Sequence, residues 1–122
     1  MLRKLNSLIK WIFSNDFRCG ISYLRKRNIK FPHPIGIVIG KNVELGNNCT
    51  IYQNVTIGAK TEKDAKLKLY PKIGNNVVIG ANALIIGDIK IGNNSYIGAG
   101  SVVLKDVDEG SVVVGNPAKV LR

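Results

Sequence analysis

Aliphatic side chains recur every six residues along most of this chain. They are Ile39, Leu45, Ile51 and Ile57, then, after one interruption, Ile73, Ile79, Ile85, Ile91, Ile97 and Val103. Three residues after each stands Asn, Asp or Gly: Asn42, Asn48, Asn54, Asn76, Asn82, Asp88, Asn94, Gly100 and Asp106, with one failure at Lys60. Glycine usually follows the aliphatic (Gly40, Gly46, Gly58, Gly74, Gly80, Gly92, Gly98). The fifth place is small or β-branched (Val43, Cys49, Val55, Val77, Ala83, Ile89, Ser95, Ser101, Val107).

A helix would repeat near 3.6 residues and an isolated amphipathic strand near 2. Six is three strand periods, so an extended chain that turns a corner every sixth residue keeps one aliphatic pointing inward. Asn, Asp and Gly adopt left-handed backbone at least cost, so their column marks the corners. Small fifth-place side chains fit the space beside those corners. Together the columns predict a hexapeptide parallel β-helix, whose units bury their apolar sides only by stacking on one another. A β-sandwich of hairpins would not hold a fixed six-residue phase over so many units.

Three hexads make one triangular coil, so the ten units predict just over three coils. Such a prism is only about 15–20 Å tall. So short a solenoid has open ends, and small domains of this kind often rely on oligomerisation. The organisation predicted is an N-terminal helical segment, residues 1–30, followed by the β-helical domain, residues 31–122. Net charge is +10, of which +7 falls on residues 1–30, where eight Lys or Arg face Asp16 alone. Such a segment suits an anionic partner, or is simply a solvated helix face. Nucleic acid is not expected, because no aromatic stacking platform or groove-reading motif accompanies the charge. Cys19 and Cys49 form neither a disulfide framework nor a metal pair, and Cys49 occupies a packing position. No apolar run is long enough to span a membrane, and no small-residue cleavage site follows the apolar start, so a cytoplasmic location is expected.

Residues 2–13 place Leu2, Leu5, Leu8, Ile9, Ile12 and Phe13 at helical spacing among Arg3, Lys4 and Lys10, which predicts an amphipathic helix. Ser14-Asn15-Asp16 reads as a cap for a second helix over Phe17–Arg27, weakened by Gly20. The apolar stripe is expected to cover one end of the prism. The alternative is a peripheral membrane contact through this basic N-terminal helix, with Trp11 and Phe13 on its apolar face. Phe31-Pro32-His33-Pro34 ends the helical part. Ile57 to Ile73 spans ten residues more than one hexad. A charged loop at about 59–70 is therefore expected to leave the prism at a corner, where such loops often build binding sites. After Asp106 the rhythm stops. Val112-Val113-Val114 reads as a last strand and Gly115-Asn116-Pro117 as a turn.

His33 is the chain's one histidine and stands at the start of the first coil. Its unperturbed pKa lies nearest neutrality among the side chains, so it can take a proton from an acceptor hydroxyl or amine. A structural histidine at a domain junction would look the same in the sequence.

The stretch His33-Pro34-Ile35-Gly36-Ile37-Val38-Ile39-Gly40 resembles the catalytic-histidine segment of serine acetyltransferases and their polysaccharide-modifying relatives, within the hexapeptide-repeat acetyltransferases. The resemblance continues through residues 51–58, 70–74, 97–105 and 114–119, and so covers about residues 31–122. It implies a left-handed β-helix, a homotrimer, and acetyl-CoA as co-substrate in the groove between neighbouring prisms, with no metal. It also implies His33 as the catalytic base and Ala81 and Ala99 as backbone contacts to the pantetheine arm. Lys105, Lys119 and Arg122 would face the CoA phosphates, as cations suit phosphates. Two positions depart from the serine acetyltransferase pattern. That family commonly carries Asp before the catalytic His, where Pro32 stands, and a second His before Pro-Lys-Ile, where Tyr70 stands. Tyr70 can still donate a hydrogen bond to an acceptor substrate. No counterpart of the family's large N-terminal helical domain is expected.

The expected activity is an acetyl-CoA-dependent O-acetyltransferase acting on a sugar hydroxyl in surface polysaccharide biosynthesis, by direct transfer without an acyl-enzyme. L-serine acetylation is the alternative, and N-acetylation of an amino sugar is a third. A non-catalytic β-helix scaffold would show no CoA affinity. A single histidine excludes a carbonic anhydrase on this scaffold, which needs three histidine ligands to zinc. A sugar nucleotidyltransferase, which carries an additional nucleotide-binding domain, is not expected from these 122 residues.

Overall fold

The computed structural model describes residues 14–122, so the helix expected over residues 2–13 lies outside the described residues. The chain begins with β1 (Asp16–Phe17) and α1 (Ile21–Lys26). The hexads then form β2 (Val38–Ile39), β3 (Glu44–Leu45), β4 (Thr50–Ile51) and β5 (Thr56–Gly58), and after α2 (Glu62–Lys66) come β6 (Lys72–Ile73), β7 (Val78–Ile79), β8 (Leu84–Ile86), β9 (Lys90–Ile91), β10 (Tyr96–Ile97) and β11 (Val102–Val103). The chain closes with β12 (Val112–Gly115) and β13 (Ala118–Val120).

These strands stack into three sheets, one on each side of a prism: β1-β2-β5-β8-β11, β4-β7-β10-β12-β13, and β3-β6-β9. All pairings are parallel except β12 with β13. Val38 pairs with Thr56 and Leu84 with Val102, the eighteen-residue step of three hexads. The architecture is a left-handed parallel β-helix.

Inside, Ile39, Ile57, Ile85 and Val103 stack behind the first sheet, Ile51, Ile79, Ile97 and Val113 behind the second, and Leu45, Ile73 and Ile91 behind the third, all buried. Each such side chain contributes about 1.5–3 kcal/mol on leaving water. Every fifth-place residue from Val43 to Val107 is buried too. Among them Ser95 stays paired, its hydroxyl donating to the Gly92 carbonyl at 2.7 Å.

The corners divide by kind. Where the third sheet passes into the second, Asn48, Asn76, Asn94 and Gly110 have positive φ; where the second passes into the first, Gly36, Asn54, Asn82 and Gly100 do. At the remaining corner Asn42, Asp88 and Asp106 do not, contrary to the uniform column expected. There Asp106 instead accepts the Lys90 N–H at 2.9 Å through its side chain. The third-to-second corner is also laced by side chains: Asn75 Oδ1 accepts the Asn47 N–H at 2.8 Å and Asn93 Oδ1 accepts that of Asn75 at 2.7 Å. Gly74 leaves the room for Asn93 Oδ1, which a Cβ would strike.

Winding continues past Asp106, where the rhythm was expected to stop. Val107 pairs with Ile91, Val113 with Ile97, and both are buried. The step there is sixteen residues instead of eighteen, so the fourth coil is a hexad triplet shortened by two at the corner after β11.

The second N-terminal helix is shorter than the expected Phe17–Arg27. Phe17 is drawn into β1, which pairs with β2, and its ring lies 5.0 Å from that of Phe31. Gly20, at φ +98°, precedes α1 without any side-chain cap, so Ser14-Asn15-Asp16 does not start it. Long-range strand pairing has overridden the local helical spacing. The segment adds a non-hexapeptide turn over one end of the prism: Leu24 is buried, the Tyr23 hydroxyl accepts the Leu45 N–H at 2.9 Å, and Arg27 Nε donates to the Leu45 carbonyl at 2.9 Å. Those two bonds occupy the edge of β3 that no strand covers, and an uncovered edge invites aberrant pairing. The insertion is not wholly a loop, since it contains α2, whose N-terminus is capped by Thr61 Oγ1 accepting the Asp64 N–H at 3.0 Å.

Candidate active site

His33 sits on a local bulge. Lys30 pairs with Thr50, and Val38 pairs with Thr56, so eight residues of the upper turn span what six span below. The two surplus residues push Pro32-His33-Pro34 outward, and His33 is exposed. Prolines on both sides restrict the backbone of this stretch. The segment is also tied down from Ser14 and Asn15. Gly36 N–H donates to the Ser14 carbonyl at 2.7 Å, Asn15 Nδ2 to the Pro34 carbonyl at 2.7 Å, and Ile37 N–H to Asn15 Oδ1 at 3.0 Å. Among the described residues the imidazole has no hydrogen-bond partner, so no carboxylate of this set orients it. Asn15 was read from the sequence as a helix cap. Its role in holding the histidine turn had no local signal, since its partners are about twenty residues away.

Ala81 and Ala99 lie on the same edge of the prism. Each directly precedes a left-handed corner residue, Asn82 and Gly100, and these continue the column that begins at Gly36 and Asn54. The Gly100 N–H donates to the Ala81 carbonyl at 2.8 Å, joining the two coils there. His33, Ala81 and Ala99 are therefore aligned from the first coil towards the last. Ala99 is exposed and Ala81 partly so.

The proposed phosphate-facing cations lie elsewhere. Lys105 and Lys119 line a cavity of about 380 Å³ at the far end of the prism with Leu104, Pro117 and Val120. Arg122 stays outside that lining but beside it, its backbone paired with Val112 at 2.6 Å. Tyr70 is not brought to His33 within one chain. Its ring packs over Gly40, where a Cβ would come within 2.5 Å of the ring. Gly36 and Gly40 stand at opposite ends of β2, about 13 Å apart in extended chain.

Neither cysteine is poised as a nucleophile. Burial pushes the Cys19 thiol up to about 11, against smaller lowering effects from a backbone hydrogen bond and Arg27. Burial also raises that of Cys49, whose Sγ donates to the Gly74 carbonyl at 3.1 Å. Both are thiols at neutral pH, and the thiolate is the reactive form. Among the described residues no three of His, Cys, Asp and Glu gather as a metal-ligand set, and no helix is long and apolar enough to cross a membrane.

Residues 34–59 match the family described as the hexapeptide repeat of succinyl-transferase, and residues 70–105 match bacterial transferase hexapeptide (six repeats). The serine acetyltransferase of Helicobacter pylori (strain ATCC 700392 / 26695) is 38% identical over 119 residues, covering 98% of this chain and 67% of that protein. The crystal structure of serine acetyltransferase in complex with coenzyme A from Brucella abortus strain S19 superposes with a TM-score of 0.72 at 38% identity, covering 76% of this chain and 36% of that one. Soybean serine acetyltransferase complexed with serine gives a TM-score of 0.69 at 46% identity, covering 76% of this chain and 37% of that one. The chain thus spans little more than a third of either crystallised relative.

Proposed function

Because this chain belongs to the serine acetyltransferase-like branch of the hexapeptide-repeat acetyltransferases, we propose that it transfers the acetyl group of acetyl-CoA to a hydroxyl, with His33 as general base. The observation that carries this reading is the exposed imidazole at the head of the edge that also bears Ala81 and Ala99. A pantetheine arm laid along that edge would bring its thioester towards His33. One ring nitrogen removes the acceptor proton as the oxygen attacks the thioester carbonyl. The tetrahedral intermediate collapses by breaking the carbon–sulfur bond, and the imidazolium returns its proton to the departing CoA thiolate. No protein acyl intermediate is needed, in keeping with two protonated cysteines, one buried and one partly buried.

The relatives favour L-serine as acceptor over the surface-glycan hydroxyl expected from the sequence, since the similar proteins described above are serine acetyltransferases and one is complexed with serine. The sugar hydroxyl stays as the second reading because Pro32 and Tyr70 replace the Asp and His that the resemblance expects. Trimeric assembly belongs to the same proposal. The hexad strands of the first sheet and β12 with those of the second present Val38, Thr56, Leu84 and Val102, and Thr50, Val78, Tyr96 and Val112, all uncharged, with charge only at the ends, from Asp16 beside Val38, Lys30 beside Thr50 and Lys119 in β13; the third presents Glu44, Lys72 and Lys90. A threefold arrangement that keeps the charged side in water would cover much of the other two.

The test is release of free thiol from acetyl-CoA by the purified chain with L-serine and, separately, with a panel of sugars. Turnover with serine is expected, falling at least about a hundredfold in His33→Ala. A His33→Ala variant of near-native rate removes the histidine from the chemistry, and turnover with sugars alone moves the acceptor to the second reading.

A further inference from the structure

A second concavity lies away from both the His33 edge and the Lys105–Lys119 end. It measures about 390 Å³ and is lined by Tyr23 and Arg27 from the end-covering segment, Lys41 and Glu44 from the first coil, and Lys68 and Lys72 from the insertion and β6. Four cations against one carboxylate make it strongly positive. Arg27 is held in place, its guanidinium 3.6 Å over the Tyr23 ring while Nε is bonded to the Leu45 carbonyl. Lys72 reaches Asp88 only at 3.4 Å with both side chains about half exposed, a pairing worth little that leaves the ammonium free to turn inward.

An independent observation concerns Lys68. Helix α2 ends in a Schellman motif: Leu69 N–H donates to the Asp64 carbonyl at 2.9 Å and Lys68 N–H to the Ala65 carbonyl at 3.0 Å, with Lys68 at φ +59°. That position ordinarily takes glycine, sometimes asparagine. In the described residues every other non-glycine residue with positive φ is asparagine: Asn28, Asn48, Asn54, Asn76, Asn82 and Asn94. The one exception is a lysine that lines the positive concavity. Backbone strain retained at one position marks it for function when the fold itself prefers another residue there.

We propose that this concavity binds a phosphate group, with Lys41 and Lys68 as mobile ligands beside the fixed Arg27. Compact ammonium groups and an anchored guanidinium are the donor set that a phosphate oxygen cluster takes. The group has two possible bearers, a CoA molecule other than the one proposed along the His33 edge or a separate phosphorylated small molecule, and the site does not depend on acetyl transfer being the activity.

The full chain, at low ionic strength, is titrated with inorganic phosphate and followed by amide NMR shifts. Saturable shifts at residues 41–44 and 68–72 are expected. Lys68→Gly and Lys41→Gln should each weaken binding about tenfold or more, while Lys60→Gln and Lys63→Gln, on the same insertion but outside the concavity, leave it unchanged. Lys68→Gly should melt no lower than the native chain, because glycine suits its backbone. Displacement of phosphate by CoA, or by a hexose phosphate, identifies the bearer and supports the site in either case. Non-saturable shifts, native affinity in both Lys68→Gly and Lys41→Gln, equal weakening by the two control variants, or failure of both competitors (an adventitious ion only) overturns the proposal.

Discussion

Asparagine carries much of the conformational specification in this chain. At Asn48, Asn54, Asn76, Asn82 and Asn94 the backbone is left-handed, which costs most side chains about 1–2 kcal/mol. Asn82→Ala should therefore lose stability of that order in urea denaturation, while Asn82→Gly should lie near the native value; equal losses would show that the side chain, not the backbone angle, matters there. The corner column was visible in the sequence, but its division was not. Asn42, Asp88 and Asp106 share the pattern without the backbone angle, because a six-residue count cannot distinguish three unlike corners. The Asn47–Asn75–Asn93 lacing was also invisible, since each bond joins residues in different coils.

Among the elements, the hexad strands were readable because each inward aliphatic repeats the same local instruction. α1 was not. Phe17 stands at helical spacing yet joins β1, whose pairing with β2 and packing on Phe31 outweigh a propensity of a few tenths of a kcal/mol per residue. The short helix that remains serves the edge of β3 through the Tyr23 hydroxyl and Arg27. Tyr23→Phe leaves the Leu45 N–H without its acceptor, at a cost of about 1–3 kcal/mol for an unsatisfied group. Faster hydrogen exchange at the Leu45 amide and a lower urea midpoint are expected, and an unchanged exchange rate would mean that solvent or another group caps this edge. Insertion residues 59–70 were expected as a charged loop, and the turn of helix within them follows from the Thr61 cap and the Schellman end, which hold five residues helical without a core of their own.

For the whole molecule, the unequal sides of the prism bear on assembly. Leu84 stands 37% exposed on the first sheet between Thr56 and Val102. A lysine there would place a charge in a face that the proposed trimer buries. Leu84→Lys should sediment as a monomer at concentrations where the native chain is trimeric, and it should lose thiol release with the groove between copies. A native chain that is itself monomeric, or a variant of unchanged mass, would show that this face is not the interface.

The six-residue winding and the core could be read from the chain alone, because they rest on repeated local patterns; His33 stood out there only as one histidine beside a recognisable motif, and the hand of the winding only through the resemblance. Contacts between coils settled the rest. They shortened the fourth turn by two residues, bulged His33 outward and tied its turn to Ser14 and Asn15. They also gathered Arg27, Lys41, Lys68 and Lys72 around one concavity. Residues so far apart in sequence meet only when the prism has wound, and no periodicity along the chain records which of its turns will be neighbours.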